Sequence, residues 1–261
     1  MKRYALIKPA VLAGSALFAG FAFAGDPAPK AAITPAPSSD LEVSFGVGYT
    51  SEDVWRGINR GDDLFDASIG VSGSGSLGGL GDLDLSAGLH LLTWSRPGES
   101  DTAGDDGANE MRINMQASKS LGNNLSLAVG VTNYSYFGSA GGNSDLLEPY
   151  VTLSTEMAGI SVGVSAHWDE NGTGVGAWLD EDVYWEITAG KSVNLGGISL
   201  DVQGVIGTWN TFDDTHYGLS VCLPIAASDS ITVTPHVSAI FGDTFWGDDE
   251  FTAGVNLGFG F

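Results

Sequence analysis

From Leu41 to the last residue, apolar side chains recur at every second position. LEVSFGVGYT sets Leu41, Val43, Phe45, Val47 and Tyr49 on one face, and EMRINMQAS sets Met111, Ile113, Met115 and Ala117 against Glu110, Arg112, Asn114, Gln116 and Ser118. A period of two is the signature of a strand with chemically different faces, not of a helix. The same alternation runs through 65–71, 83–91, 125–131, 148–156, 160–168, 182–190, 198–206, 217–225, 231–241 and 250–261. About twelve strands are predicted, each near the 9 to 11 residues that a tilted strand needs to cross a bilayer.

The links between them alternate as well. GSLGGLGD, LGNN, MAG, NLGG and AASDS are short; GINRGDD, RPGESDTAGDDGAN, GSAGGNSD, DENGTGVGAWLDED, NTFDD and GDTFWGDDE are longer, mostly acidic and Gly-rich. An up-and-down barrel sorts its connections this way, with tight turns at one rim and long loops at the other. The fold class expected is therefore all-β: a closed antiparallel up-and-down transmembrane β-barrel.

Alternation alone also fits a soluble sandwich, whose polar face looks at water. Two further features favour lipid on the apolar side. No amphipathic helix is available to cover a sheet. Aromatic residues gather near strand ends (Tyr49, Trp55, Trp94, Trp168, Trp185, Trp209, Tyr217, Phe241, Trp246, Phe259 and Phe261), where a membrane barrel places its interfacial girdles. The polar parity would then face a lumen. It carries Glu42, Asp66, Asp84, His90, Glu110, Arg112, Glu148, Glu156, His167, Glu186, Asp201, His216, His236 and Glu250.

Ahead of the strands lies a different composition. Residues 1–24 read as a signal peptide: Lys2, Arg3 and Lys8, an apolar run, then Ala22-Phe23-Ala24 as a cleavage site. Residues 25–40 are Pro/Ala-rich and read as an extended periplasmic tether, leaving 41–261 as the barrel. The formal charge is −22, and removing the signal peptide makes it more negative. Such acidity excludes nucleic acid as a natural partner and favours cations or cation-bridged anionic surfaces. Cys222 is the single cysteine, so no internal disulfide staples the chain.

The ending EFTAGVNLGFGF resembles the closing β-signal that the barrel-assembly machinery of Gram-negative bacteria reads. Phe259 and Phe261 match its aromatic positions, while Asn256 stands where a Gly is usual, flanked by Gly254 and Gly258. The stretch GYTSEDVWRGINRGDD resembles the opening of the TorF (Gcw-type) porin family, through Thr50, Ser51, Glu52, Trp55, Arg56 and Gly57. Asp53 stands where that family has Tyr. The resemblance spans about the first strand pair and implies a porin-like barrel of the bacterial outer membrane with no established substrate.

Arg56 lies on the polar parity near the end of strand one. A guanidinium there calls for a carboxylate in fork geometry, with Asp66 as the first candidate and Glu52 the second. The pore-lining set expected is Glu42, Arg56, Asp66, Asp84, Glu110, Arg112, Glu148, Glu186 and Asp201. The acidic links add a vestibule of Asp62, Asp63, Asp105, Asp106, Asp213, Asp214, Asp248 and Asp249. An excess of carboxylates in a low-dielectric wall favours cations. The expectation is a passive channel for small hydrophilic, preferentially cationic solutes, with outer-membrane lipid and lipopolysaccharide as its surroundings and oligomerisation compatible with the surface. No cofactor, catalytic constellation or metal site is expected. The paired aspartates leave room for a loop Ca²⁺ but lack the EF-hand pattern. Two rivals stand beside the channel: a closed barrel serving as anchor or adhesin, and a lipid hydrolase. The latter would carry His-x-Ser-Asn-Gly, whereas the chain has His236-Val237-Ser238-Ala239-Ile240.

Overall fold

The computed structural model describes residues 41–76, 78, 81–97, 109–137, 144–168, 183–196, 198–209, 215–242 and 249–260. The segments expected as signal peptide and tether (1–40), with Asp105, Asp106, Asp213, Asp214, Trp246, Asp248 and Phe261, lie outside these residues. Twelve antiparallel strands follow one another round a closed sheet. They are β1 (Glu42–Trp55), β2 (Ile58–Ser76), β3 (Asp82–Pro97), β4 (Asn109–Gly122), β5 (Leu125–Phe137), β6 (Ser144–Met157), β7 (Ile160–Trp168), β8 (Val183–Leu195), β9 (Ile198–Trp209), β10 (Thr215–Cys222, resuming at Ile225–Ala226), β11 (Ile231–Gly242) and β12 (Glu250–Gly260). Each strand pairs with its sequence neighbours, and β1 closes on β12 with Phe45 opposite Phe259 and Thr50 opposite Gly254.

Pro224 explains the break in β10. It has no N–H for a ladder, and pairing with β11 resumes only at Ile225 opposite Val233. Pro235 and Pro149 are instead accommodated within continuous strands, opposite Val255 and Val131 respectively.

The apolar parity faces outward, as expected. Phe65, Ile69, Leu91, Met115, Val129, Leu153, Val164, Ile187, Leu219 and Phe251 are all exposed, with Phe65 at 51% and Phe251 at 66%. So large an apolar surface, continuous round the sheet, is a lipid-facing band. The opposite parity is where the buried polar residues lie, among them Thr50, Ser68, Glu110, Thr132, Glu148, Thr152, Ser165, His167, Glu186, His216, Ser220 and His236.

One rim carries tight turns. Asn123 and Asn124 (φ 53° and 62°) and Ala158 and Gly159 (φ 54° and 73°) take left-handed conformations suited to two-residue hairpins. The first connection at the opposite rim departs from the alternation. GINRGDD is not a loop: the chain reverses at Arg56 and Gly57, and β2 starts at Ile58. Asp62 and Asp63 are therefore strand residues, a correction to the vestibule expected there. Asp63 accepts a hydrogen bond from Tyr49 Oη at 2.7 Å, on the outer face where Tyr49 packs against Phe65.

The outward face makes a direct prediction. Ile187→Arg, on the exposed parity of β8, should lower the stability of the bilayer-embedded protein by about 2–4 kcal/mol if it lies near the midplane. Urea titration in phospholipid vesicles measures this.

Candidate functional site

The first hairpin folds into the barrel. At Asp53/Val54 the β1–β2 register slips by one residue, a bulge that bends the strand pair. Beyond it, residues 53–58 are all buried. The turn places both Arg56 (φ 53°) and Gly57 (φ 80°) in the left-handed region. Gly accepts this freely; for an L-residue such as Arg56 it costs roughly 1–2 kcal/mol. What Arg56 reaches from there supplies the compensation.

Its guanidinium meets Glu148 on β6, Nη2 to Oε2 at 2.6 Å, with both side chains at 0% exposure. The same group lies over the rings of Tyr184 on β8 (4.3 Å) and Trp55 (4.5 Å), and 5.3 Å from the Trp209 ring on β9. A planar, weakly hydrated cation tolerates this mixture of carboxylate and π-face better than an ammonium would. The tip thus crosses from the β1–β2 wall to the far wall. The carboxylate that meets Arg56 at 2.6 Å is thus Glu148, not one of the two expected across the hairpin. Asp66 sits on the inner face over Gly48, and Glu52 pairs in register with Asp62. Sequence proximity suggested a partner across the hairpin, whereas the inward bend carries Arg56 across the lumen.

A second cluster forms on the near wall around Arg60, a residue that strand parity alone does not single out. Arg60 binds Asp53 and Glu110, each at 2.6 Å, and Arg112 also pairs with Glu110. Trp94 Nε1 donates to the same Asp53 oxygen at 2.8 Å. Glu148 in turn accepts from Tyr134 Oη at 3.2 Å and lies 3.1 Å from His167 Nδ1. Tyr184 Oη donates to Glu186 at 3.3 Å, and its ring stacks with His216. These groups converge because their neighbours are small. A Cβ on Gly207 would run into Tyr184 and His216, and one on Gly254 into His236.

Three girdle assignments also change. Trp55, Trp94 and Trp209 face inward, where Trp55 and Trp94 are buried and Trp209 packs against Trp55. Trp168, Trp185, Tyr217 and Phe241 are exposed on the outside. Apolar residues enter the lumen at the same level: Leu64, Leu92 and Trp94 form one cluster, and Val54 packs on Ile240.

The expected pore-lining residues divide by depth. Arg56, Glu110, Glu148 and Glu186 are buried at the level of the tip, with Arg112 and Asp66 partly buried. Glu42 and Asp84 are exposed at the tight-turn end, where Asp201 is half-buried next to Cys222 in the register. Asp249 is exposed at the opposite rim. Phe259 lies in the closing seam between Phe45 and Ile231. Among the described residues, no group of three or more His, Cys, Asp or Glu is arranged to hold a metal ion. His236 and Ser238 face inward, within reach of Thr50 (3.3 Å) and in contact with Thr252 respectively, not toward lipid.

Fold and interior together define an outer-membrane-type β-barrel with a partly filled lumen. No family model matches the chain, and no curated protein matches it. Among solved structures it is similar to the COG4313 outer membrane channel from Pseudomonas putida F1, at 11% identity and TM-score 0.56, covering 88% of this chain and 100% of that one. It is also similar to outer membrane phospholipase A from Escherichia coli, at 13% identity and TM-score 0.51, covering 87% and 93%. A weaker likeness, to a KdgM porin, has TM-score 0.49 with 9% identity over 84% and 99% of the two chains. What is shared at these identities is the fold.

The Arg56–Glu148 pair is testable as a buried ion pair. Arg56→Met or Glu148→Met alone should each cost about 3–5 kcal/mol, and the double variant should recover most of the loss. Urea unfolding in vesicles, read as a double-mutant cycle, gives the coupling.

Proposed function

We propose that the protein is a channel of the bacterial outer membrane that passes small hydrophilic solutes by passive diffusion and prefers cations. The observation that carries this reading is the inversion of the barrel: apolar side chains outside, Ser, Thr, His, Tyr and carboxylates inside. A lumen walled by hydroxyls replaces part of a solute's hydration without binding it tightly. The cation preference draws on composition and on depth. At the tip level, Asp53, Glu110, Glu148 and Glu186 stand against Arg56, Arg60 and Arg112, so opposite charges nearly balance. The acidic bias comes from Glu42, Asp84 and Asp201 at one end, the acidic links at the other, and the formal charge of −22. In this reading the mouths select, the tight turns lie at the periplasmic rim beside the tether, and the first hairpin follows the pattern of the TorF-type porins. The acidic rim meets lipopolysaccharide through bridging divalent cations, and transport uses no cofactor.

A second reading is a barrel kept shut as an anchor or adhesin. The zero exposure of both Arg56 and Glu148 at the crossing point favours it. Hydrolase chemistry has less support, because the His236 and Ser238 side chains point away from the lipid that such an enzyme would attack.

Planar-bilayer recording in a salt gradient separates these readings. A channel with acidic mouths gives discrete conductance steps and a reversal potential of cationic sign, shifting toward zero in Asp84→Asn/Asp201→Asn. An anionic reversal potential rejects the selectivity, and silence in the protein as it stands supports the shut barrel.

A further inference from the structure

We propose that the β1–β2 hairpin tip is a displaceable plug, latched across the lumen by Arg56 and Glu148, and that its outward swing about the Asp53/Val54 bulge opens the barrel. The inference rests on the channel reading and adds how passage is controlled.

Three features make the tip a separate moving part. First, the seam leaves it behind: the β1–β12 ladder ends at Thr50–Gly254 among the described residues, although β1 runs on to Trp55 and β12 begins at Glu250. Across that gap the links are through side chains: Ser51 Oγ accepts from Ala253 N–H at 3.0 Å, Asn59 Nδ2 donates to Glu250 at 3.1 Å, and Glu52 shares a hydrogen bond with Glu250. A strand released from its ladder can pivot without breaking the cylinder. Second, a hinge is present where the register slips between Asp53 and Val54, opposite Gly61 and Asn59. Third, the tip is held on the far wall by side chains: Arg56 by Glu148, Tyr184 and Trp209, Trp55 by Tyr134, and Val54 by Ile240. Side-chain contacts of this kind are bistable, since they are either seated or replaced by water. Apart from Ile240, their partners on the wall carry a carboxylate, hydroxyls or an indole N–H (Glu148, Tyr134, Tyr184, Trp209), with His167 and His216 behind them, so a withdrawn tip leaves a surface that water can wet, while Arg56 regains hydration. The seated state needs Arg56 charged and paired; losing one partner of a buried pair strongly disfavours that state.

The test uses the full barrel in planar bilayers. Val54→Cys/Ile240→Cys, made in a Cys222→Ser background, ties the tip to β11 by a disulfide or, where that bond does not form, by a short bismaleimide. Cross-linking is confirmed by mass. Conductance steps should vanish in the cross-linked protein and, for the disulfide, return on reduction. Arg56→Ala should raise the ratio of open to closed time about tenfold or more, because one charge of a buried pair is then left uncompensated. Heat-dependent gel mobility reports whether each variant is folded, and if Arg56→Ala is not, the cross-link decides alone. Equal conductance with the tip tied and untied overturns the plug but leaves the channel standing. Silence even in a barrel whose residues 53–60 are replaced by a short Gly-rich turn overturns the channel, and the plug with it.

Discussion

Lipid offers a peptide group no hydrogen-bond partner, and this sheet meets that constraint by closing on itself. An open edge in hydrocarbon would expose a row of N–H and C=O groups at several kcal/mol each. Pairing of β1 with β12 removes that edge. Once the cylinder is closed, side-chain direction is fixed everywhere by the pleat: one parity must satisfy lipid, the other whatever fills the inside. A single slip in register would exchange the two sets. The seam matters most, and its pairs Phe45–Phe259 and Val47–Leu257 carry the outward set across the join.

The interior is built in two styles. Toward the tight-turn rim most inward residues are small or neutral, such as Ser72, Ser86, Gln116, Ser126 and Ser154, with the carboxylates Glu42, Asp84 and Asp201 at the mouth. Toward the other rim they are large, charged and aromatic, and the first hairpin is folded among them. Charges brought out of water there are placed against one another: Glu110 between Arg60 and Arg112, and Glu148 between Arg56 and His167. Such pairs seldom add stability over an apolar packing of the same volume. They leave the centre of the barrel polar and wettable in a way that leucines would not.

Strand positions, the outward face and the closed order were legible because a period of two survives in a single sequence. What failed was local to the first hairpin. GINRGDD has the composition of a loop, and Asp62-Asp63 looks like a solvated pair, yet Arg56-Gly57 forms the turn and the rest is strand. Nothing in strand parity announces a bend into the lumen. A trace does exist in the apolar doublets Val54-Trp55, Leu64-Phe65, Leu91-Leu92, Leu146-Leu147 and Ile240-Phe241. Adjacent residues on a strand face opposite ways, so Leu64, Leu92, Leu146 and Ile240 are buried beside exposed partners, while in the inserted tip Val54 and Trp55 are both buried. They mark the level at which the first hairpin fills the interior. The partners of Arg56 were not legible, because Glu148 is remote in sequence and only the bend brings it near.

The hairpin tip also has a place in the order of assembly. It is made from the earliest barrel strands, but the wall it settles against comes from β4, β5, β6, β8, β9 and β11. Contacts so distant along the chain form late, after the loop-closure entropy of nearly the whole cylinder has been met. Until β11 arrives, Val54 lacks the residue it packs on. A nascent barrel therefore stays hollow until it is nearly complete, and an occupied centre is a signature of the finished cylinder.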